Sequence, residues 1–192
     1  MNGKPFKLAT FAISGGRSFA ALVLGDDAIA LTAAYSAYRA TARVGTLSST
    51  DSIFGLLENW DANFAVLQEI VAAIENEGLS PGAAKQTSLR TLPPVTRPGK
   101  MFYAAQNFQE HVDEMLRASM TPAGGPKFTG EKATTRPYLF LKAPSCLAGA
   151  YDEIKIPLGM KRIDWEAEIA LAIGKSGKRI KAEHALDHVA AS

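Results

Sequence analysis

The alternation of polar and apolar residues from Asp164 to Ile173 constrains the fold of this chain more than any other feature. The run Asp164-Trp165-Glu166-Ala167-Glu168 repeats with a period of two and continues with Ile169, Leu171 and Ile173. Successive side chains of a strand point to opposite faces, so the three carboxylates would share one face at roughly 7 Å Cα spacing. The pattern therefore predicts a β-strand with one acidic and one apolar face.

Two interpretations of that acidic face stay open on the residues alone. Carboxylates lined up in an otherwise apolar strand repel one another and lose hydration unless a cation joins them. A hard divalent cation, Mg²⁺, Mn²⁺ or Ca²⁺, takes oxygen ligands and would satisfy them. The alternative is an edge strand whose acidic face is solvated, because short acidic alternations are common on protein surfaces.

Charge and cysteine content limit the classes of function. The 192 residues include 21 basic and 19 acidic side chains spread along the chain, a net charge of +2, so no strong field favours nucleic acid or a membrane surface. Cys146 is the only cysteine; it excludes an internal disulfide, fits a reducing compartment and is interpreted as a small buried residue. The run Ser14-Gly15-Gly16-Arg17 interrupts the N-terminal apolar residues before they could form a signal-peptide core. We expect a soluble, cytoplasmic protein.

Residues 1–95 predict a small N-terminal domain in which strands precede helices. Three strands are predicted, at 8–13, 19–24 and 28–31, the first two as a hairpin around a glycine turn. The run Ser49-Thr50-Asp51 offers N-caps for a short helix. Apolar residues from Phe64 to Ile74 recur at three- and four-residue spacing, which predicts a second helix that stops at Gly78. The proline-rich connector at 92–100 then separates domains 1–95 and 96–192.

A histidine and a carboxylate one helical turn apart follow the connector. Residues 101–105 predict a short buried strand that leads into a loop and a helix at 106–116. On that helix His111 and Glu114 are neighbours at i and i+3, so the carboxylate can orient the imidazole as a general base. The alternative is an exposed helix with an ordinary histidine and surface acids.

A loop and a strand lie between this helix and the acidic run. Residues 121–136 are polar and rich in glycine, and they predict a long loop that moves as a lid. Residues 137–142 predict an apolar strand that ends in Lys142, a lysine that either extends to solvent or points into a site. Another strand is predicted to start at 154–157.

Two further histidines follow the acidic run. Residues 182–189 predict a helix on which His184 and His188 lie four apart, the spacing of some metal ligands. We interpret both as surface residues because the glutamate that accompanies such a pair in zinc sites is missing.

From the connector onward, the order of motifs resembles the fumarylacetoacetate hydrolase superfamily, over residues 92–190. The segments that carry the resemblance, each weak alone and specific in combination, are Arg97-Pro98-Gly99-Lys100, Asn107-Phe108-x-x-His111, Leu139-Phe140-Leu141-Lys142 with Pro144-Ser145, Ile154 to Pro157, and Asp164-Trp165-Glu166-x-Glu168 running into Ile173-Gly174-Lys175. Residues 1–91 resemble the smaller N-terminal domain of longer members only in their opening hairpin and their position.

The resemblance implies an α+β fold, with a small N-terminal α/β-type domain followed by an incomplete mixed β-roll catalytic domain. It also implies one Mg²⁺ or Mn²⁺, in some members Ca²⁺, a small oxo-acid substrate and a homodimer. Matched to this sequence, the family's metal-ligand glutamates fall on Glu166 and Glu168. Its water-activating dyad falls on His111 and Glu114, and its substrate-side lysine on Lys142.

The implied function is that of a metal-dependent hydrolase or lyase acting on C–C bonds of acylpyruvate-like or 2-oxo acid substrates, as in aromatic catabolism. A further metal-ligand aspartate of the family lies in a segment that this sequence does not reach, so we expect a truncated catalytic domain with two of its carboxylates and an unpaired sheet edge. The alternative is a truncated, non-catalytic homologue that acts only as a folding or oligomerisation partner.

Overall fold

A computed structural model describes residues 5–79, 81–105, 107–117, 136–161 and 163–191. The chain divides into two compact units, Met1–Arg97 together with Leu147–Ser192, and Pro98–Cys146. The domains 1–95 and 96–192 stay a prediction. Mixed α and β structure, the coarser part of the predicted fold class, is confirmed.

An antiparallel sheet of five strands dominates the N-terminal region. Its strands are β1 Lys7–Ala12, β2 Ser18–Leu24, β3 Asp27–Ala30, β4 Ala84–Lys85 and β5 Arg90–Leu92. They lie in the order β4-β3-β2-β1-β5, and each neighbouring pair is antiparallel. The turn between β1 and β2 closes where the Gly16 N–H donates to the Ile13 carbonyl at 2.8 Å, and Gly15 takes the positive φ of 72° that the turn requires. The predicted hairpin and third strand are confirmed.

β2 is buried on both of its faces. Ala20 and Leu22 belong to the larger core cluster, whereas Ala21 and Val23 belong to a smaller cluster on the opposite face. This burial explains why the central strand of the sheet reads as a continuous apolar segment.

Three helices pack on the larger cluster: α1 Leu31–Ala40, α2 Ile53–Leu57 and α3 Trp60–Asn76. The cap of α2 is Ser52, whose Oγ accepts from the Gly55 N–H at 3.1 Å. Ser49 Oγ accepts instead from the amides of Asp51 and Ser52, so the predicted cap at Ser49-Thr50-Asp51 is wrong by one residue. The helix is capped where the backbone first turns from extended to helical, which residue type alone does not locate.

α3 ends as its sequence predicts. Gly78 has a φ of 73°, and the Leu79 N–H donates to the Ala73 carbonyl at 3.1 Å, the hydrogen bond that closes a helix at a left-handed glycine. Leu79 then packs against the core.

Two polar side chains are satisfied inside this core. Asn63 is fully buried: its Nδ2 donates to Ser48 Oγ at 2.6 Å and to the Leu56 carbonyl at 2.8 Å, and its Oδ1 accepts from the Ser48 N–H at 2.9 Å. The Tyr38 hydroxyl donates to Glu69 Oε2. Burial raises the pKa of Tyr38, and the hydrogen bond to Glu69 raises it further.

The remaining elements are short. They are β6 Phe102–Ala105, α4 Gln109–Arg117, β7 Tyr138–Leu141, β8 Ala172–Ile173, β9 Val189–Ala191, and 3₁₀ helices at Gln86–Ser88, Pro144–Cys146 and Ala182–His188. β6 pairs with β7, and β8 with β9, each pair antiparallel. Among the helices of the described residues, none has the length and apolar character needed to cross a membrane.

Several predictions for this region are wrong. The predicted strand at 164–173 is reduced to Ala172–Ile173. Residues 154–157, which the structure describes, form no strand. The predicted helix at 182–189 is a 3₁₀ helix. A strand needs a neighbour for its backbone hydrogen bonds, and no described strand pairs with 163–171. Cys146, interpreted as buried, is exposed because it lies in a surface turn. The lid predicted at 121–136 lies, except for Arg136, outside the described residues.

An ion pair holds residues near the start of Leu147–Ser192 against β5. Arg90 Nη2 lies 2.8 Å from Asp152 Oδ1, and the Gly149 N–H donates to Asp152 Oδ2 at 2.8 Å. The hydrogen bond from Arg90, followed by that from Gly149, lowers the pKa of Asp152. This contact was not predicted, because the two partners lie 62 residues apart in the sequence.

Candidate functional site

His111 and Glu114 lie one turn apart on α4, as predicted. The helix has Glu110 in its first turn and Arg117 in its last, charges that favour its dipole, and the Val112 N–H donates to the Phe108 carbonyl at 3.2 Å near its start. His111 Nδ1 is 4.0 Å from Glu114 Oε2, and the two side chains are 43% and 79% exposed.

That distance is longer than a hydrogen bond, which spans about 2.7–3.2 Å between heavy atoms. Catalytic hydrogen bonds are often long before a substrate binds and shorten in the complex. The geometry is therefore that of a carboxylate able to orient an imidazole, held on a partly exposed helix. The role of the dyad stays a prediction.

Lys142 follows β7 and projects over aromatic rings. Its Nζ lies 4.4 Å from the centroid of the Tyr103 ring and 5.8 Å from that of Phe140. Its backbone N–H donates to the Met101 carbonyl at 3.4 Å, which continues the ladder between β6 and β7 by one residue. Lys142 is thus exposed, with its ammonium over two aromatic rings, and its role at the substrate stays a prediction.

Tyr103 was missed as a candidate residue. The signal that could have found it is register: a residue two positions before Lys142 shares its face, and Tyr103 pairs with that residue, Phe140, on the neighbouring strand. The pairing of β6 with β7 spans a long insertion, so the sequence does not fix this register.

Glu166 and Glu168 lie in the stretch 163–171, which has no regular secondary structure, and both are exposed. Trp165, which precedes Glu166 in the sequence, is 84% exposed, and its backbone N–H donates to Asp164 Oδ1 at 2.9 Å. The five predicted site residues are thus divided: His111, Glu114 and Lys142 belong to Pro98–Cys146, and the two glutamates to the unit that includes Leu147–Ser192.

As ligands, two carboxylates fit a hard divalent cation in type but not in number. Mg²⁺ and Ca²⁺ take six or more oxygen ligands, several of them from water or substrate where the protein supplies few. Within the described ranges, no group of three or more His, Cys, Asp and Glu side chains is close enough to hold a metal. Glu166 and Glu168 therefore offer part of a ligand set that other oxygens must complete.

The two C-terminal histidines have local partners. His184 Nδ1 lies 3.2 Å from Asp187 Oδ2, and His188 Nδ1 lies 2.9 Å from the Lys175 carbonyl. His184 is exposed and His188 half-buried. Each ring nitrogen contact is of the kind that orients a surface histidine.

A family model matches the part of the chain that contains these residues. The model for the C-terminal domain of fumarylacetoacetate (FAA) hydrolase matches residues 100–191. That range contains all five predicted site residues and also Tyr103.

Similar proteins extend the match into the N-terminal region. The chain is 34% identical over 145 residues to fumarylacetoacetate hydrolase domain-containing protein 2 of Pongo abelii and to oxaloacetate tautomerase FAHD2A, mitochondrial, of Homo sapiens, a match of 76% of this chain and 39% of each relative. It is 33% identical over 134 residues to maleylpyruvate hydrolase of Aquipseudomonas alcaligenes, 70% of this chain and 46% of that protein. The chain thus spans less than half the length of these curated relatives. Through residues 100–191 it belongs to the fumarylacetoacetate hydrolase superfamily.

Proposed function

We propose that this chain contributes to a metal-dependent hydrolase or lyase that acts on the C–C bond of an acylpyruvate-like or other 2-oxo acid. The observation that carries the proposal is the family match over 100–191, because it contains His111, Glu114, Lys142, Glu166 and Glu168 together. The finer fold proposed for this range is the mixed β-roll.

The names of two relatives narrow the substrate class. One is an oxaloacetate tautomerase and the other a maleylpyruvate hydrolase. Oxaloacetate and maleylpyruvate are both 2-oxo acids, in which the carbon next to the ketone can lose a proton or a carbon substituent to leave an enolate. A site that stabilises negative charge on the 2-oxo group serves either reaction.

The histidine dyad supplies the base. Glu114 lies on the Nδ1 side of His111, which supports proton transfer at Nε2. In hydrolysis, Nε2 takes a proton from water as the oxygen adds to the acyl carbonyl carbon. The C–C bond then breaks, its electron pair leaves with the 2-oxo acid fragment as an enolate, and that carbon is protonated. In tautomerisation, the same nitrogen moves a proton between carbon and oxygen.

Lys142 and the glutamates supply charge. The ammonium of Lys142 balances the negative charge that develops on the substrate oxygen. Glu166 and Glu168 would hold the divalent cation, which when bound polarises the oxygens of the 2-oxo acid. A carboxylate pair of this kind fits Mg²⁺ or Mn²⁺ better than a soft metal, since both donors are oxygen.

Calorimetric titration with Mn²⁺ and Mg²⁺ tests the cation site first. Glu166→Gln and Glu168→Gln remove one charge each and keep the side-chain shape, so each should weaken binding at least tenfold. Glu153→Gln is the matched control, because Glu153 is an exposed glutamate of the same C-terminal segment with no proposed ligand role. Equal binding by all four proteins would contradict the assignment.

Turnover then tests the reaction. Oxaloacetate enolisation and acylpyruvate cleavage are both followed by ultraviolet absorbance, with His111→Ala expected to reduce either rate by about 10²–10⁴-fold, the contribution of a general base. Cleavage without enolisation would identify a hydrolase, and the converse a tautomerase. Metal binding without any turnover of either substrate would count against the proposed function and favour a non-catalytic homologue.

A further inference from the structure

The pairing of β6 with β7 builds an aromatic surface beneath Lys142. Tyr103 and Phe140 are directly opposite in the antiparallel register, and their rings stack with centroids 5.3 Å apart and an interplanar angle of 25°. Phe140 and Lys142 are two residues apart on consecutive positions of the same face. The side chains of Tyr103 in β6, Phe140 in β7 and Lys142, the residue after β7, therefore meet on one face of the pair.

The ammonium lies closer to one ring than to the other. Nζ of Lys142 is 4.4 Å from the Tyr103 centroid and 5.8 Å from the Phe140 centroid, both within the roughly 6 Å over which a cation is attracted to an aromatic face. Tyr103 is half-buried, whereas Phe140 and Lys142 are exposed. The tyrosine ring is thus the better anchored partner and the one nearer to the charge.

A lysine side chain needs such an anchor to act at a fixed place. Its ammonium sits at the end of four flexible methylene groups, so the free side chain distributes the charge over many rotamers. The hydrogen bond from the Lys142 N–H to Met101 fixes only the backbone at that position. The rings select among the rotamers that this backbone allows.

We propose that Tyr103 is a positioning residue for Lys142: its ring holds the ammonium above the β6–β7 pair, where it meets the anionic oxygen of the substrate. The inference rests on the proposed function, which places Lys142 at the substrate. Tyr103 acts through the lysine and needs no contact of its own with the substrate.

A double-mutant cycle on anion binding isolates this role. The probe is oxalate, a small dianion with the charge pattern of a 2-oxo acid, titrated at one fixed Mg²⁺ concentration. Tyr103→Leu should raise the dissociation constant about two- to fivefold, the range that corresponds to an exposed cation–π contact. In a Lys142→Met background the same substitution should have no effect, because the partner through which it acts is gone.

Two conservative variants sharpen the cycle. Tyr103→Phe retains the ring face and should restore the affinity lost in Tyr103→Leu. Phe140→Leu removes the more distant ring and should have the smaller effect. A merely structural role of Tyr103 would instead persist when Lys142 is replaced.

Nuclear magnetic resonance supplies a readout that needs neither substrate nor turnover. A ring stacked against the lysine shifts the ε-methylene protons of Lys142 upfield, and Tyr103→Leu should reverse most of that shift while Tyr103→Phe retains it. Circular dichroism of each variant checks that the fold is kept.

The outcomes separate the two proposals. Unshifted Lys142 protons in the unsubstituted protein, or a Tyr103→Leu effect that is unchanged in the Lys142→Met background, would overturn the positioning role even if the enzyme is active. Absence of oxalate binding by the unsubstituted protein would also overturn it, because Lys142 would then not lie at an anion site. Metal binding that is unchanged in Glu166→Gln, by contrast, would contradict the metal site of the proposed function and would leave the role of Tyr103 intact.

Discussion

Residues 5–97 and residues 100–191 contain similar fractions of apolar residues but bury them to very different extents. Every buried apolar residue of the described chain except Val112 lies before residue 98. After it, large apolar side chains such as Ile154, Leu158, Trp165 and Ile169 are more than three-quarters exposed. The N-terminal region thus has a core of its own, whereas the family-matched region presents its apolar side chains without one among the described residues.

This difference shows how much a strand depends on the strands and helices that pack against it. β2 lies between two strands; one of its faces packs in the core cluster that the three helices share, and the other face packs in the smaller cluster. Residues 163–171 alternate as strongly as any strand of the chain, yet no described strand pairs with them. An alternating sequence specifies which face would be buried, but the burial itself requires a partner surface.

Amide hydrogen exchange should show the largest contrast. Amides of β2 should open only on global unfolding, which costs about 5–15 kcal/mol in a native domain, whereas amides of 163–171 should exchange close to the rate of an unstructured chain. Mass spectrometry of peptic fragments measures both in one experiment. Slow exchange at 163–171 would break the comparison, because it would show that this stretch is paired in solution and would revive the predicted strand.

Matched leucine truncations test the same contrast through stability. Leu67 is fully buried and Leu158 fully exposed. Leu67→Ala should lower the free energy of unfolding by about 2–5 kcal/mol, and Leu158→Ala by less than about 0.5 kcal/mol. Urea denaturation followed by circular dichroism gives both values. Comparable losses would indicate that Leu158 is covered in solution.

A pair of asparagine substitutions tests whether a buried polar side chain contributes more to stability than an exposed one within the N-terminal region. Asn63→Ala removes three hydrogen bonds and leaves buried partners unsatisfied, a loss of about 1–3 kcal/mol. Asn59→Ala is the control, because Asn59 is exposed and its side chain makes no capping hydrogen bond to α3. An equal effect of both would mean that the network around Asn63 contributes nothing specific.

The smallest effect is expected at the ion pair between Arg90 and Asp152. Because the folded protein lowers the pKa of Asp152 from 3.8, its contribution to stability is present above that value and is lost as the pH falls through the lower folded pKa. Asp152→Asn should therefore be less stable than the unsubstituted protein near neutral pH and equally stable in strong acid. Thermal unfolding across this pH range, with Glu153→Gln as control, measures it; a difference that does not change with pH would exclude the carboxylate as its cause. Salt should reduce the difference, since the pair is partly exposed.

The fold of the N-terminal region followed from the sequence wherever the signals were local. The hairpin at Gly15-Gly16 and the end of α3 at Gly78 each depend on a few adjacent residues, and both are confirmed. α1 was not assigned, because its alanine-rich sequence has no clear pattern. Its helix is held by packing of Leu31, Ala34 and Tyr38 into the core, which is a tertiary contact.

The candidate site was predictable to the extent that it is local. The spacing of His111 and Glu114 on α4 follows from helix periodicity, and the structure has that helix. The contact between Lys142 and Tyr103 was not predictable, because it depends on which residues of β6 and β7 pair across an insertion of more than thirty residues.

The sequence by itself determined the family, the residue types available for base, cation and metal chemistry, and local elements such as the Gly15-Gly16 hairpin, the end of α3 and the helix α4. Only the tertiary structure decided which apolar patterns become buried, which carboxylate meets Arg90 and which ring lies under Lys142. The physical reason is that helix turns and glycine turns are stabilised by neighbours along the chain. Strand burial, ion pairs and cation–π contacts are stabilised by partners that only folding brings together.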